Sequence, residues 1–274
     1  MIRKPVVAGQ FYPSSPSELK KMIKGMVRED VAKEEAIGLL SPHAGYIYSG
    51  GVAGATISRV RLKDTVIVMG PNHTGMGKPF SIMAEGSWQT PLGEVKIDEA
   101  LAKKLLAVSS YLEEDERAHL FEHSIEVQLP FLQYFKPDFK LVPIIFGHPD
   151  GNIYKEIGRG IASAIKEMGR EALIVASSDM SHYEPQASAQ KKDTQAIGAM
   201  LKLDEDELLK RVAEFNITMC GYAPAVSLIA AAKELGASGA ELVKYQTSGD
   251  VSGDFSSVVG YAGIIIKGSS SGGK

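Results

Sequence analysis

Three apolar runs, Ala36 to Leu40, Val66 to Met69 and Leu173 to Ala176, each end abruptly in a short polar stretch. Continuous hydrophobic runs of this length, bounded by turn residues, predict strands buried on both faces, as in a parallel sheet. Leu141 to Phe146 predicts a further buried strand, and Leu242 to Gln246 and Ser257 to Ile266 predict two more. Elsewhere the pattern takes a helical period. Ser15-Pro16-Ser17-Glu18 has the form of a capping box with proline at the first helical position, so a helix is expected to about Val27. Helical patterns also cover 98–108, 152–168, 188–201, 205–215 and 223–235. Gly50, Gly51, Gly54 and Ala55 open a segment expected to be a helix lying close to a strand. Ser81 to Glu85 and Glu94 to Ile97 flank Trp88-Gln89-Thr90-Pro91-Leu92-Gly93 and predict a hairpin, and His123 to Phe135 predicts a helix broken or kinked at Pro130. The first dozen residues are expected to run extended. Strands alternating with helices predict an α/β fold: one domain over 1–267 with a mostly parallel or mixed central sheet covered by helices, then a flexible tail over 268–274.

The polar stretches carry the chemistry. They read Ser41-Pro42-His43-Ala44-Gly45-Tyr46, Gly70-Pro71-Asn72-His73 and Ser177-Ser178-Asp179-Met180-Ser181-His182. If the three runs are neighbouring parallel strands, these stretches share the crevice at the strands' carboxyl ends, the usual ligand site of an open α/β sheet. His43, His73 and His182, three of the six histidines, would converge there beside Asp179. Proline before His43 and glycine after it favour an imidazole turned out of the core. Asp179 stands three residues before His182, where a carboxylate can orient an imidazole and favour its cation for acid-base work. The blander alternatives are a buried histidine satisfied by a carbonyl and an aspartate bonded to its own turn.

Cys220, the only cysteine, precedes Gly221 and a helix expected to start near Pro224. A lone cysteine is ordinarily inert packing, but a helix amino terminus would favour its thiolate, which is also a good ligand for a borderline or soft metal. In Glu122-His123-Ser124-Ile125-Glu126 the spacing is not that of a zinc-protease helix, so Glu122, His123 and Glu126 are expected to support a site or line it rather than ligate directly. His148 is read as a turn residue. Neither a P-loop, a Gly-x-Ser-x-Gly elbow nor a dinucleotide fingerprint occurs, so no nucleotide cofactor is expected.

Composition narrows the class. The chain has 274 residues, is 44% hydrophobic, and carries a formal net charge of -3, which gives no electrostatic reason to expect nucleic acid or an anionic membrane as partner. One cysteine cannot form an internal disulfide, no apolar stretch reaches the roughly 18 residues of a spanning helix, and the start lacks a signal-peptide core. A cytoplasmic protein is expected.

Several longer motifs, taken in order, resemble the Memo (mediator of cell motility) family, whose prokaryotic members are also called AmmeMemoRadiSam system protein B. They are Gly9-Gln10-Phe11-Tyr12, Pro42-His43-Ala44-Gly45-Tyr46-Ile47-Tyr48-Ser49-Gly50, Gly70-Pro71-Asn72-His73, Glu122-His123-Ser124-Ile125-Glu126-Val127-Gln128-Leu129-Pro130, Ser177 to His182 and Thr218-Met219-Cys220-Gly221. The resemblance implies a fold similar to the class III extradiol non-haem iron dioxygenases. It also implies His43 and His73 as metal ligands, His182 as the acid-base histidine and Cys220 as a third ligand in place of a carboxylate. Phe11 and Tyr48, with Asn72, Glu122, His123 and Glu126, would line or support the pocket. Ring-cleaving activity does not transfer with a fold, least of all across a change of ligand.

Three functions follow as expectations. The leading one is a metal-dependent redox protein or oxidoreductase holding Fe(II) or copper, with zinc possible, in which Asp179 and His182 move protons. A second is a hydrolase with Cys220 as nucleophile, His182 as base and Asp179 as orienter. A third is a non-catalytic module whose cleft binds a peptide or protein. The expected partners are a small aromatic molecule or peptide in the cleft and, by the resemblance alone, a radical-SAM protein.

Overall fold

The structure, a computed structural model, describes residues 1–147 and 150–268. His148 and the segment 269–274 lie outside the described residues, so the expectations for them are not taken further.

The three apolar runs form β2 (Ala36–Ser41), β3 (Thr65–Pro71) and β9 (Leu173–Ser177), all parallel, with β9 between the other two. β8 (Lys140–Phe146) adds a fourth parallel strand beside β3. The side chains of β3 and β9 are buried throughout, which is why these strands read as unbroken hydrophobic runs rather than alternating ones. The sheet is mixed because later strands join antiparallel. β12 (Val258–Gly268) pairs with β2, and β11 (Ala237–Thr247) and β10 (His182–Glu184) pair with β12. On the far side β4 (Phe80–Ile82) runs antiparallel to β8 and carries the two-residue β7 (Glu113–Glu114). Gly268 closes β12 instead of opening a tail.

Helices cover the sheet. α2 (Tyr46–Ser58) packs on β2, β11 and β12, whereas α8 (Tyr222–Glu234) packs on β2, β3 and β9 and is backed by α5 (Gly151–Glu167). The helix lies against strands as expected, while Gly50 and Gly54 serve a further contact. A Cβ on Gly54 would stand 2.5 Å from the Met26 carbonyl, so the close approach is to the chain leaving α1 (Pro16–Lys24). α3 (Glu99–Val108), α4 (Leu129–Phe135), α6 (Gln186–Leu201), α7 (Glu205–Glu214) and the short α9 (Gly249–Ser252) complete the helices among the described residues. No helix among them is long and apolar enough to cross a membrane.

Two expectations need correction. The hairpin is built from β5 (Ser87–Thr90) and β6 (Gly93–Lys96), so Trp88 belongs to a strand and the turn is only Pro91-Leu92. With β1 (Ile2–Arg3) this hairpin makes a separate three-stranded sheet. The helix expected from His123 begins later, as a short 3-10 turn (Glu126–Gln128) leading into α4, with Pro130 near the amino end of α4, where a missing N–H costs nothing. His123 therefore sits in a loop.

Candidate metal centre

Parallel register sets the site. Ser41 lies opposite Ser177, and Met69 opposite Ala176, so β2, β9 and β3 end level with one another. Two residues beyond the ends of β2, β3 and β9 stand His43, His73 and Asp179. His123 comes from the loop before α4. The ring centroids of His43 and His73 are 5.2 Å apart, those of His73 and His123 4.7 Å, and those of His43 and His123 5.6 Å. One ligand atom from each of these three lies within 4.8 Å of the other two, close enough for a single ion to be held by all three after small side-chain adjustments. The third member is thus His123, which the sequence placed in a supporting role.

The neighbours of His43 fix its tautomer. The Ser177 hydroxyl donates to the Ser124 carbonyl (2.6 Å) and accepts from the Gln128 amide (2.8 Å). With its one proton committed, Ser177 Oγ can only accept from His43 Nδ1 at 2.9 Å. His43 Nδ1 then carries the proton, and Nε2 presents a lone pair. Burial first, and then the nearby His73, His123 and His182, hold the His43 pKa well below the usual histidine value. It is a neutral ligand in waiting.

His73 is held by a charge. Glu122, fully buried, accepts from His73 Nδ1 at 2.9 Å, from the His73 backbone N–H and from the Ser124 backbone N–H. Burial alone would raise the Glu122 pKa, but His73 and the Ser124 N–H outweigh it and bring the value to about 2. Burial likewise lowers His73, yet Glu122 more than reverses this and raises its pKa. His123 has Nδ1 3.5 Å from the same carboxylate, and burial lowers its pKa. Glu126 faces away from the cluster. It binds buried Arg3, the N–H groups of Val6 and Val7, and the Tyr12 hydroxyl. Arg3 in turn donates to the carbonyls of His119 and Glu122, tying the loop that carries Glu122 and His123 to the amino-terminal segment.

Cys220 reaches the site from the other side. A Cβ on Gly221 would stand 2.3 Å from the Ser177 carbonyl, so glycine there lets the chain before α8 press against the end of β9. Cys220 Sγ then lies 3.3 Å from His43 Nε2 and accepts from the Asp179 N–H at 3.3 Å, but falls outside the trio whose donors are mutually within 4.8 Å. Burial, then the Asp179 charge, push the thiol pKa up.

The Asp179–His182 partnership takes a different form from the expected one. Asp179 Oδ1 accepts from the His43 backbone N–H at 2.8 Å, whereas His182 Nδ1 donates to the Thr218 carbonyl at 2.8 Å. Burial raises the Asp179 pKa to about 6. Without an Asp179–His182 bond, and with the sulfur beside His43, no Cys-His-Asp nucleophilic triad is assembled. Asn72 shapes the loop after β3, accepting from the Thr74 and Gly75 N–H groups and donating to the Met76 carbonyl. Phe11 lies edge-on to His123 with ring centroids 4.9 Å apart, and Tyr48 is exposed on α2. Ser177, Gln128, Arg3 and Thr218 position the site without having been singled out in the sequence. Ser177 and Gln128 at least lie inside quoted motifs, whereas Arg3 carries no local signal.

Comparison with known proteins identifies the family. Residues 3–265 match the family model described as "Memo-like protein". The chain is 47% identical to a "MEMO1 family protein" of Methanococcoides burtonii over 97% of its length and 100% of the relative's. It is 47% identical to one of Aquifex aeolicus, covering 97% and 99% of the two chains. A crystal structure of an uncharacterized protein from Escherichia coli K12 superposes with a TM-score of 0.58 at 14% identity, over 83% of this chain and 98% of that one, and shows the fold alone. The chain belongs to the Memo family.

Proposed function

We propose that this protein is a metal-dependent redox protein, an oxidoreductase built on a mononuclear transition-metal centre. The observation that carries the reading is the convergence of His43, His73 and His123, with two of the three imidazoles pinned through Nδ1. Those residues would hold the ion, and Cys220 is placed to add a sulfur donor. Two donors bound at about 2.1 and 2.3 Å to one tetrahedral ion stand about 3.6 Å apart, close to the 3.3 Å between His43 Nε2 and Cys220 Sγ. Imidazole with thiolate suits Fe(II) or copper, and also zinc. A metal that cycles between oxidation states would supply electron exchange with a small ligand in the cleft.

The chain's own groups supply the rest. His182 donates Nδ1–H to Thr218, which leaves Nε2 as a base. Asp179, whose pKa burial raises, is a group that can give or take a proton in a buried place. Glu122 supports His73 as the carboxylate partner that metal-binding histidines usually have. A radical-SAM protein is proposed as a partner on family grounds only.

Metal analysis of protein prepared anaerobically under reducing conditions tests the reading. About one equivalent of Fe(II) or copper is expected in the wild type, lost in His43→Ala and His73→Ala, together with oxygen consumption in the presence of an oxidisable small ligand. Unchanged metal content in both variants would remove the assignment. A second reading, a peptide- or protein-binding cleft without turnover, is favoured by the exposed Ile47, Phe121 and Tyr183. Stoichiometric metal with no turnover across a ligand screen would select it.

A further inference from the structure

A groove between the chain leaving α1, the helix α2 and the strand β11 takes no part in the site described above. It has a volume of about 340 Å³, and none of the clustered histidines lines it. Its apolar walls include Met26, Val27, Ile47 and Val251. Ile47 is 65% exposed and Val251 46%, so part of this apolar surface stands in solvent. Lys244 crosses from β11 to α2, where its Nζ donates to the Gly51 carbonyl at 3.4 Å.

The charges in this groove are of one sign. Arg28 and Lys244 both line it, no acidic residue among the described residues does, and neither cation makes an ion pair there. The acids next to the lining residues are turned elsewhere. Glu29, which follows Arg28, accepts from the Tyr134 hydroxyl at 2.6 Å, and Asp250, which precedes Val251, accepts from the Thr247 N–H at 2.7 Å. At the other end of α2 the same two elements behave differently, since Arg59 is met by Glu34 and by Glu241 of β11. Two uncompensated cations over an apolar floor are complementary to an anionic partner that brings apolar side chains with it. A bilayer fits less well, because the chain has a net charge of -3 and polybasic clusters rather than two cations hold proteins to anionic lipid. The strand that carries Lys244 also has a free edge. β11 pairs with β12 and with no other strand among the described residues, and it is half-exposed along most of its length. An extended segment can hydrogen-bond to such an edge.

We propose that this groove docks an acidic, extended segment of a partner protein, whose carboxylates meet Arg28 and Lys244 and whose apolar side chains cover Ile47 and Val251.

Fluorescence anisotropy on the full chain tests it, with a fluorescein-labelled Glu-Glu-Leu-Glu-Leu-Glu-Glu peptide and the same peptide carrying Gln for Glu as probes. Wild type is expected to bind the acidic peptide in preference to the neutral one, and to bind it less well as salt is added. The double variant Arg28→Gln, Lys244→Gln is expected to lose about tenfold in affinity at an unchanged melting temperature, both positions being exposed. Val251→Glu, which places an acid on the apolar rim, is expected to weaken binding in the same direction. His43→Ala is expected to bind the peptide as wild type does, which separates this groove from a peptide held in the histidine cleft. Equal affinity in wild type and the double variant, equal affinity for the two peptides, loss of binding in His43→Ala, or no binding of the acidic peptide overturns the proposal. Sedimentation of wild type with phosphatidylserine vesicles in the absence of peptide binding also overturns it, in favour of a membrane surface.

Discussion

The two ends of the central sheet solve opposite problems with the same residue types. At the carboxyl ends of β2, β9 and β3, charged and polar side chains are buried, and several are held by specific partners: Glu122 by His73, Ser177 by His43 and Gln128, Glu126 by Arg3. At the amino ends the charges stand in solvent. Lys63 meets Glu35 and Glu171, Lys136 meets Asp64, and Arg59 meets Glu34 and Glu241. A cavity of about 750 Å³ opens there, lined by Arg61, Lys63, Lys140 and Arg170 but also by Asp64, Asp98, Asp138 and Glu171. Four cations face four anions, so no ligand charge is selected. Size marks the wrong end of the molecule. Convergent donors with their other atoms already committed mark the right one.

The contrast can be broken most sharply at Arg3. Arg3→Met leaves the Glu126 carboxylate buried without its cation, which is expected to cost about 3–5 kcal/mol in urea unfolding. A loss below about 1 kcal/mol, the range of exposed pairs, would show that the amino-terminal anchor belongs with the surface ion pairs after all. Next comes Glu122→Gln. Weakening of the carboxylate behind His73 is expected to reduce metal affinity about 10–100-fold in a chelator competition. Unchanged affinity would mean that His73 is not a ligand.

The smallest effect belongs to the far end of the sheet. Arg59 and Lys267 hold the Glu241 pKa down to about 2 despite its exposure. A carboxylate depressed in the folded state contributes stability that is present above its unfolded pKa of about 4.3 and is lost as pH falls through about 2. Solvent screening limits that contribution, so Glu241→Gln is expected to cost under about 1 kcal/mol at pH 7 and less still in high salt. Thermal melts at pH 7 and pH 2.5 with both proteins measure the difference, which should shrink at the lower pH. A difference that grows there would invert the assignment.

Much of the frame was legible because burial on both faces writes itself into sequence as an unbroken apolar run. β2, β3, β8 and β9 were found this way, and the level ends of the first two and β9 made His43 and His73 readable as neighbours. Short half-buried strands carry no such signature. Ser81 to Glu85 and Ser87 to Thr90 are equally plausible first arms of a hairpin, and only packing chooses the second. The nearness of His123 to His43 and His73 was not legible for a related reason. Its loop has no period, and it is placed by Arg3 and Glu126, partners 123 positions apart in the chain. The helix amino terminus and the resemblance pointed to Cys220, while the burial that raises its pKa is tertiary.

X-ray absorption on the metal-loaded protein tests the central claim most directly. The account expects imidazole nitrogens at about 2.0–2.1 Å with the multiple scattering of histidine rings, and a sulfur at about 2.3 Å that disappears in Cys220→Ala while the nitrogen shell persists. A shell of oxygen atoms without imidazole scattering would contradict it.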